Sequence, residues 1–290
     1  MTYVIAGVSG NTGKVAAETL LAQGKSVRVL VRDAAKGAPW AEKGAEVAIA
    51  DLGDAAALTA AFKGAAAAYV LVPPLVSDDF VAHQSRVTAA LTAAIRDSAI
   101  PHVVLLSSVG AQHAAGTGPI AGLHRAERAF RELSPRTAFT FIRAAYFMEN
   151  LGGSLAQLGQ GVLPSFLPAD FRFDMVATKD IGRLAAAELL AGPKGLEIVE
   201  LGGPARSMKD AAVILSELTR RPVAVHEAPV TMAATVLGSF GFPAVLAGLY
   251  QEMLAGIASG HVAWEGGHRH VQGTTSLEQV LSGLVAGSAH

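Results

Sequence analysis

Short apolar runs alternate with longer stretches of helical pattern through the first half of the chain. Apolar runs of this length are typical of strands that are buried on both faces of a parallel sheet. The predicted strands are Tyr3–Ala6, Ser26–Val31, Ala45–Ala50, Ala67–Val72, His102–Ser107 and Ala138–Arg143. The predicted helices between them are Thr12–Gln23, Asp54–Phe62, Asp78–Ser98 and Ile120–Leu133. This order predicts an α/β fold with a doubly wound parallel sheet and right-handed crossovers.

The alternation becomes irregular after Arg143. Glycines and prolines crowd residues 152–168, which we predict to be loops around one short helix. The elements predicted after them are a helix at Ile181–Leu190 capped by Thr178-Lys179-Asp180, a strand at Leu196–Leu201, a helix at Ser207–Thr219, a strand at Val223–His226 and interrupted helical structure over Thr231–Ser259. We therefore expect a first domain over residues 1–150. Residues 151–290 are expected to complete the sheet and to form a smaller C-terminal substrate lobe over the strand ends.

Composition narrows the class of protein. The chain has 290 residues, of which 51% are hydrophobic and 16% charged, and its net charge of −1 argues against direct binding to nucleic acid. It contains no cysteine, which excludes disulfides, thiolate catalysis and zinc–sulfur sites. No basic leader is visible, and no apolar run approaches the roughly 20 residues that a bilayer span needs. These features predict a soluble, cytoplasmic protein without a membrane partner.

A glycine-rich turn joins the first predicted strand to the first predicted helix. Glycines let a backbone turn tightly and approach a pyrophosphate, and the free N–H groups of the first helical turn meet its negative charge. The glycines recur at a G-x-x-G-x-x-G spacing as Gly7, Gly10 and Gly13. Polar side chains that would add donors near the phosphates are Ser9, Asn11 and Thr12. The turn predicts a Rossmann-type domain that binds NAD(P).

The end of the second strand bears on the choice of cofactor. Arg32 follows this strand, 19 residues after Gly13, where an acidic residue would bind the ribose hydroxyls of NAD. A guanidinium there can pair with the 2′-phosphate of NADPH. We therefore predict NADP as the cofactor, with NAD as the alternative. Asp33 leaves other interpretations open, because its carboxylate could serve the ribose or restrain Arg32, and Arg32 could simply be a solvated charge.

The next two strand ends complete the predicted cofactor site. Asp51 and Leu52 end the third strand, where they would meet the adenine. Val72 and Pro73 end the fourth strand and would run past the ribose and the pyrophosphate. Asp51 fits the N-cap of the next helix equally well.

Candidate catalytic groups come from the fifth strand and the helix after it. The strand delivers Ser107 and Ser108 to the same sheet edge, and the helix carries His124. Histidine is the side chain best suited to acid–base chemistry near neutral pH. His124 fits a helix-surface histidine with one hydrogen bond equally well. No tyrosine stands four residues before a lysine, so carbonyl reduction by a Tyr-x-x-x-Lys pair is not expected.

Several segments together resemble the NmrA-like atypical short-chain dehydrogenase/reductases. They are the glycine loop, the strand that ends at Arg32, the Ser-Ser-Val-Gly segment from Ser107, and Phe141 to Asn150. This group includes NAD(P)H:quinone oxidoreductase type 2, azo reductases and redox-sensing regulators. The resemblance implies that the glycine loop and Arg32 hold NAD(P)H and that the substrate pocket lies between the sheet and the lobe. It also implies that Tyr146, Phe147 and Asn150 lie near the nicotinamide and the substrate.

Three functions remain open at this point. An NADPH-dependent oxidoreductase that passes hydride to an electron-poor acceptor such as a quinone needs positioning more than acid catalysis. A non-catalytic NADP(H) sensor that acts through a protein partner would also explain the missing Tyr-x-x-x-Lys pair. A third function is a reductase or isomerase for another substrate class that uses His124 or a serine hydroxyl. We favour the first.

Two further patterns are interpreted as structural. His268 and His270 lie two residues apart in a glycine-rich stretch without a full ligand set, which predicts a solvated loop and no metal site. An apolar stripe at helical spacing is interpreted as core, or as the contact of a homodimer, in preference to a substrate wall. The stripe consists of Phe240, Phe242, Leu246, Leu249, Tyr250 and Met253.

Overall fold

The structure, a computed structural model, describes residues 1–288. The strands in this range are β1 (Thr2–Ile5), β2 (Ser26–Val31), β3 (Glu46–Ile49), β4 (Ala65–Leu71), β5 (His102–Ser108), β6 (Ala138–Ala144), β7 (Tyr146–Phe147), β8 (Val162–Ser165), β9 (Phe173–Val176), β10 (Leu196–Gly202), β11 (Ala205–Arg206), β12 (Ala224–Glu227) and β13 (Arg269–Gln272). The helices are α1 (Asn11–Ala22), α2 (Ala34–Glu42), α3 (Ala55–Phe62), α4 (Phe80–Ser98), α5 (Ala121–Arg131), α6 (Thr178–Ala191), α7 (Met208–Thr219), α8 (Ala233–Ser239), α9 (Ala244–Ser259) and α10 (Leu277–Ser288). Segments of 3₁₀ helix lie at Gly118–Ile120, Met148–Gln160 and Val230–Met232.

Across the described residues, eight strands form a parallel central sheet in the order β13-β10-β6-β5-β4-β1-β2-β3. The direction of winding reverses at β1, which lies between β2 and β4. The crevice at the carboxyl ends of the strands beside such a reversal is where open α/β sheets bind ligands. The predicted α/β fold, a Rossmann-type doubly wound sheet, is confirmed.

Helices cover both faces of the sheet because successive strand residues point to opposite faces. Tyr3 and Ile5 join the apolar cluster beneath α1 and α6, whereas Val4 joins the cluster beneath α3, α4 and α5. Gly182 brings α6 against the start of α1, since a Cβ at this position would lie 2.5 Å from the carbonyl oxygen of Thr12. This packing fixes the first turn of α1 at the sheet edge.

A third apolar cluster lies in the C-terminal part of the chain. It is built from the 3₁₀ segment Met148–Gln160, from β8 and β9, and from α7 and α10. Two small sheets accompany it, one pairing β8 with β12 and the other ordering β11, β9 and β7. Strands β10 and β13 of the same C-terminal part belong to the central sheet. The predicted boundary at residue 150 stays a prediction.

The first six predicted strands and the four helices predicted among them lie within two residues of the observed bounds. Helix α2 was not predicted, because Gly37 and Pro39 give its sequence low helix propensity. Tertiary contacts stabilise it: Asp33 caps its start by accepting from the N–H of Ala35 at 2.9 Å, and Trp40 is buried. Packing thus overrides propensity in this helix.

The prediction was wrong at several positions beyond Arg143. The short helix predicted within residues 152–168 is the end of the 3₁₀ segment Met148–Gln160, but β8, β9, β13 and α10 were not predicted. Thr178 does not cap α6 but is its first residue; Glu149 accepts from its N–H at 3.0 Å and from its hydroxyl at 2.6 Å. His270 lies in β13 and not in a loop.

Two properties of residues 1–288 bear on the class of protein. None of the helices found there is long and apolar enough to cross a membrane. The same range contains no group of three or more His, Cys, Asp or Glu side chains that could hold a metal ion.

Candidate cofactor and substrate site

A cavity of about 650 Å³ opens at the carboxyl ends of the central strands. The glycine loop and the ends of β4 and β5 form one side of it. Residues 145–150 and 171–174 form a second side, and α9 with residues 262–264 completes the wall. A largely apolar cavity of this size and position is typical of cofactor and small-molecule sites.

Each glycine of the loop has a different physical role. Gly7 has a φ of +68°, and a Cβ there would lie 2.7 Å from Leu71 Cδ2. Gly13 lets α1 pack on the loop, since its Cβ would lie 2.5 Å from the carbonyl oxygen of Gly7. Gly10 is different: its Cβ would meet only the same oxygen, at 3.4 Å, and the residue lines the cavity. The backbone itself requires Gly7 and Gly13, whereas Gly10 leaves space for a ligand.

The first turn of α1 presents a positive end to the cavity. Gly10 is its N-cap, has no side-chain cap, and is followed by no acidic residue in the first turn. The first N–H groups of a helix have no partner within the helix and attract anions. Thr12 is held in place because its Oγ1 accepts from the buried hydroxyl of Tyr69 at 2.9 Å. These features fit the pyrophosphate of a dinucleotide.

The predicted cofactor residues divide into two groups. Gly7, Gly10, Asn11, Thr12 and Val72 line the cavity. The residues that are not part of the cavity wall are Ser9, Gly13, Arg32, Asp51, Leu52 and Pro73. The sheet order sets Arg32 and Asp51 at the ends of β2 and β3, on the other side of the reversal from the cavity. Their roles toward an adenosine stay predictions.

The structure decides two of the alternatives at these strand ends. Asp33 caps α2, so its carboxylate is committed to that helix. Arg32 is exposed and forms no ion pair or hydrogen bond with any residue from 1 to 288. Asp51 is not the N-cap of α3: Asp54 accepts from the N–H groups of Ala56 and Ala57, and Asp51 accepts from Gly53.

Tyr146, Phe147 and Asn150, the predicted substrate residues, all line the cavity. Sequence reasoning missed the aromatic residues beside them. The ring of Phe173 meets that of Tyr146 edge-on, with ring centroids 5.3 Å apart. The ring centroids of Phe171 and Phe173 are 6.1 Å apart. The alternation of Phe171 and Phe173 around an arginine is a strand signal that could have revealed this wall. Flat aromatic faces of this kind fit a planar conjugated molecule.

The apolar stripe near the C-terminus, interpreted as core or dimer contact in preference to a substrate wall, is divided between the core and the cavity wall. Tyr250 and Met253 of α9 line the cavity, Leu246 is buried, and Phe240 is 65% exposed. Trp264 also lines the cavity, and its indole N–H donates to Asp174 at 2.6 Å. Ninety residues separate the two partners along the chain, so no local signal could have paired them.

The predicted catalytic serines lie in the cavity wall. Ser107 donates its only proton to Glu127 Oε1 at 2.6 Å, so toward the cavity its oxygen can act only as an acceptor. Ser108 donates to the carbonyl oxygen of Val109 at 3.0 Å. His124 is not part of the cavity wall; its Nδ1 lies 2.9 Å from the carbonyl oxygen of Ala111. A catalytic role for His124 stays a prediction.

A buried ion network holds Ser107 in place. Glu127 accepts from Arg143 at 2.8 and 3.0 Å and from Arg131 at 3.3 Å, and Arg143 also pairs with Glu265. Burial opposes the charge of Arg143, but its hydrogen bonds and ion pairs with Glu127 and Glu265 outweigh burial and raise the pKa of Arg143. The network joins β5, β6 and α5 to the segment that carries Trp264, and so connects two parts of the cavity wall.

Comparisons with known proteins identify the family and the fold. The profile of the NmrA-like family matches residues 1–256. An NAD(P)H azoreductase of Xenophilus azovorans is 28% identical over 256 residues, which span 86% of this chain and 85% of that protein. The fold is shared with the NADPH-dependent quinone oxidoreductase QOR2 of Escherichia coli in complex with NADPH, with a TM-score of 0.78, 23% identity and coverage of 98% of this chain and 100% of the other. It is shared also with the triphenylmethane reductase of Citrobacter sp., with a TM-score of 0.79, 19% identity and coverage of 99% and 100%.

Proposed function

Since this chain belongs to the NmrA-like family, we propose that it is an NAD(P)H-dependent oxidoreductase that prefers NADPH and reduces a planar, electron-poor acceptor such as a quinone. One observation carries the proposal: a single cavity joins the glycine loop at one end to an aromatic wall at the other. A cofactor and an acceptor bound there would share one enclosed space. Relatives and neighbours named as an azoreductase and a quinone oxidoreductase support the same reaction class.

The residues present fit a nicotinamide dinucleotide. The pyrophosphate would bind at the uncapped start of α1, in the space beside Gly10 that a side chain would fill. The exposed Arg32 would pair with the 2′-phosphate. The bound cofactor supplies hydride. Ser107, which can act only as an acceptor, is suited to a nearby amide or hydroxyl donor.

The chain's own contribution to the reaction is positioning and exclusion of water. Tyr146, Phe147 and Phe173 offer apolar ring surface that would hold a flat acceptor against the cofactor end of the cavity. Correct placement of two reactants accounts for a large part of the rate when the cofactor carries the chemistry. Phe173, Tyr250 and Trp264 of this wall come from the part of the chain beyond residue 150, which supports the assignment of residues 151–290 as the segment that completes the sheet and forms the substrate-binding lobe.

Consumption of NADPH tests the proposal. The purified protein is supplied with NADPH or NADH and a panel of quinones, azo dyes, triphenylmethane dyes and activated carbonyls, and the loss of reduced nicotinamide absorbance is followed. We expect turnover with at least one planar acceptor and a higher kcat/KM with NADPH. Tight NADPH binding without turnover above background would overturn the enzyme proposal in favour of an NADP(H) sensor.

His124→Ala with an unchanged kcat would remove His124 from every catalytic scheme.

A further inference from the structure

Most polar side chains of the cavity wall are already committed to partners within the protein. Ser107 donates to Glu127, Thr178 to Glu149, and Arg172 binds Asp210 and the carbonyl oxygen of Ala205. Gln84 donates to Pro119 and accepts from Arg125, and Asp174 accepts from Trp264. These hydrogen bonds and ion pairs hold the wall together.

Tyr250 is the exception on the acceptor side. Its phenol has no hydrogen-bond partner in the described part of the chain, although the residue is half-buried and lines the cavity. Its ring is oriented by Phe242, which packs against it edge-on with centroids 5.9 Å apart. A phenol that lines a cavity and has no partner in the protein is free to donate its proton to a bound ligand.

Tyr146 lines the same cavity as Tyr250. Burial raises the pKa of Tyr146 to about 12; a hydrogen bond with Asn150 offsets part of this increase, and the nearby phenol of Tyr250 adds to it. Burial raises the pKa of Tyr250 in the same direction. Both phenols therefore keep their protons at neutral pH and can act as donors.

We propose that Tyr250, which lines the same cavity as Tyr146, donates the hydrogen bond that holds a conjugated carbonyl oxygen of the acceptor. This inference rests on the proposed function and identifies the acceptor class as planar molecules that carry such an oxygen. A hydride brings two electrons to the acceptor, whose oxygen then holds a negative charge until it takes a proton from water. A fixed donor at this oxygen is worth more as the charge develops than in the ground state.

The test compares Tyr250→Phe with a matched control, Tyr3→Phe. Both changes remove only a hydroxyl, but Tyr3 belongs to the sheet core and does not line the cavity. Binding is measured to the full-length protein saturated with NADP⁺, which cannot donate hydride. The probes are lawsone, an anionic hydroxynaphthoquinone, followed by its absorbance, and naphthalene, which has the rings but no oxygen, followed by its fluorescence. Turnover is measured with NADPH and menadione.

For Tyr250→Phe we expect about 10-fold weaker binding of lawsone or more, and less than about a twofold change for naphthalene. The kcat for menadione should fall about 10- to 100-fold with a smaller change in KM, because the charge on the oxygen is greatest in the transition state. Tyr3→Phe should leave all of these values close to wild type.

The proposal is overturned if Tyr250→Phe binds lawsone as tightly as Tyr3→Phe does, or if both probes lose affinity equally, which would mark Tyr250 as packing only. Failure of the wild type to bind lawsone also overturns it. A wild type that binds lawsone but turns over no acceptor refutes the proposed function instead. Unfolding midpoints of all variants show whether a loss of binding reflects loss of the fold.

Discussion

The cofactor preference depends on one exposed residue, Arg32, at the end of β2. We predict that Arg32→Ala raises the Kd for NADPH about 10- to 100-fold and changes the Kd for NADH less than about twofold, because only NADPH has a 2′-phosphate. Fluorescence titration of each cofactor measures this. Arg221→Ala, an exposed arginine between α7 and β12, serves as the control. Equal losses for both cofactors would show that Arg32 has a structural role.

His102 makes the stability of the fold depend on pH. It lies at the start of β5, only 1% exposed, with Nε2 3.1 Å from the hydroxyl of Thr140 and with Nδ1 unpaired among the described residues. Burial lowers its pKa from 6.5 to about 4, and the charge of Glu188 offsets only part of this decrease. The folded state therefore binds fewer protons than the unfolded state between these values, so stability is full above the higher pKa and falls as pH decreases toward the lower one.

We predict that the free energy of unfolding decreases by on the order of 2 kcal/mol between about pH 7.5 and about pH 5 because of His102. Urea unfolding of wild type and His102→Gln at both pH values measures this contribution as the difference in their pH dependence. His226→Gln, at an exposed position of β12, should retain the wild-type pH dependence. If His102→Gln retains it as well, the buried imidazole is not its source.

At the scale of elements, two glycines of the turn between β1 and α1 have different roles: Gly13 is needed for the fold and Gly10 for cofactor binding. We predict that Gly13→Ala destabilises the protein by about 1–3 kcal/mol, because its Cβ would overlap the Gly7 carbonyl and this backbone cannot move aside. Gly10→Ala should change the free energy of unfolding by less than about 1 kcal/mol, since its φ of −103° suits alanine. It should still weaken NADPH binding about 10-fold or more, because the methyl group occupies the ligand space.

Urea unfolding and NADPH titration of both variants check this division. An unaltered NADPH affinity in Gly10→Ala would contradict the proposal that NADPH occupies the space beside Gly10. The spacing of the glycines predicted the turn correctly, but their different roles depend on contacts with Leu71 and with the backbone of Gly7. A local pattern shows where the backbone must bend and cannot show which face a ligand will occupy.

At the scale of the whole molecule, α10 is part of the core. Leu281 is fully buried in the third apolar cluster, with Leu155, Leu163 and Leu215. Thr275, just before α10, donates to Asp180 of α6 at 2.8 and 2.9 Å, which links this cluster to the central sheet. The C-terminal segment therefore supports the cavity wall, although the family profile ends at residue 256.

We predict that Leu281→Ala lowers the free energy of unfolding by about 2–5 kcal/mol through the cavity it leaves. Urea unfolding measures this, with Val213→Ala, 53% exposed on α7, as a control that should cost less than about 0.5 kcal/mol. Equal costs for the two variants would mean that α10 does not contribute to the core.

The sequence by itself determined the first six strands, the helices that carry an apolar face, and the glycine turn, because these depend on periodicity and backbone conformation within a few residues. Only the tertiary structure decided that α2 forms despite Pro39, that Glu149 binds the start of α6, and that β13 is an edge strand of the central sheet. It also decided the composition of the cavity wall, where Trp264 donates to Asp174 and where Tyr146 and Tyr250 face one cavity. The physical reason is that these contacts join segments that are distant along the chain, 29 residues apart for Glu149 and Thr178 and 90 for Trp264 and Asp174. Only the strand order and the burial of shared apolar faces bring such segments together.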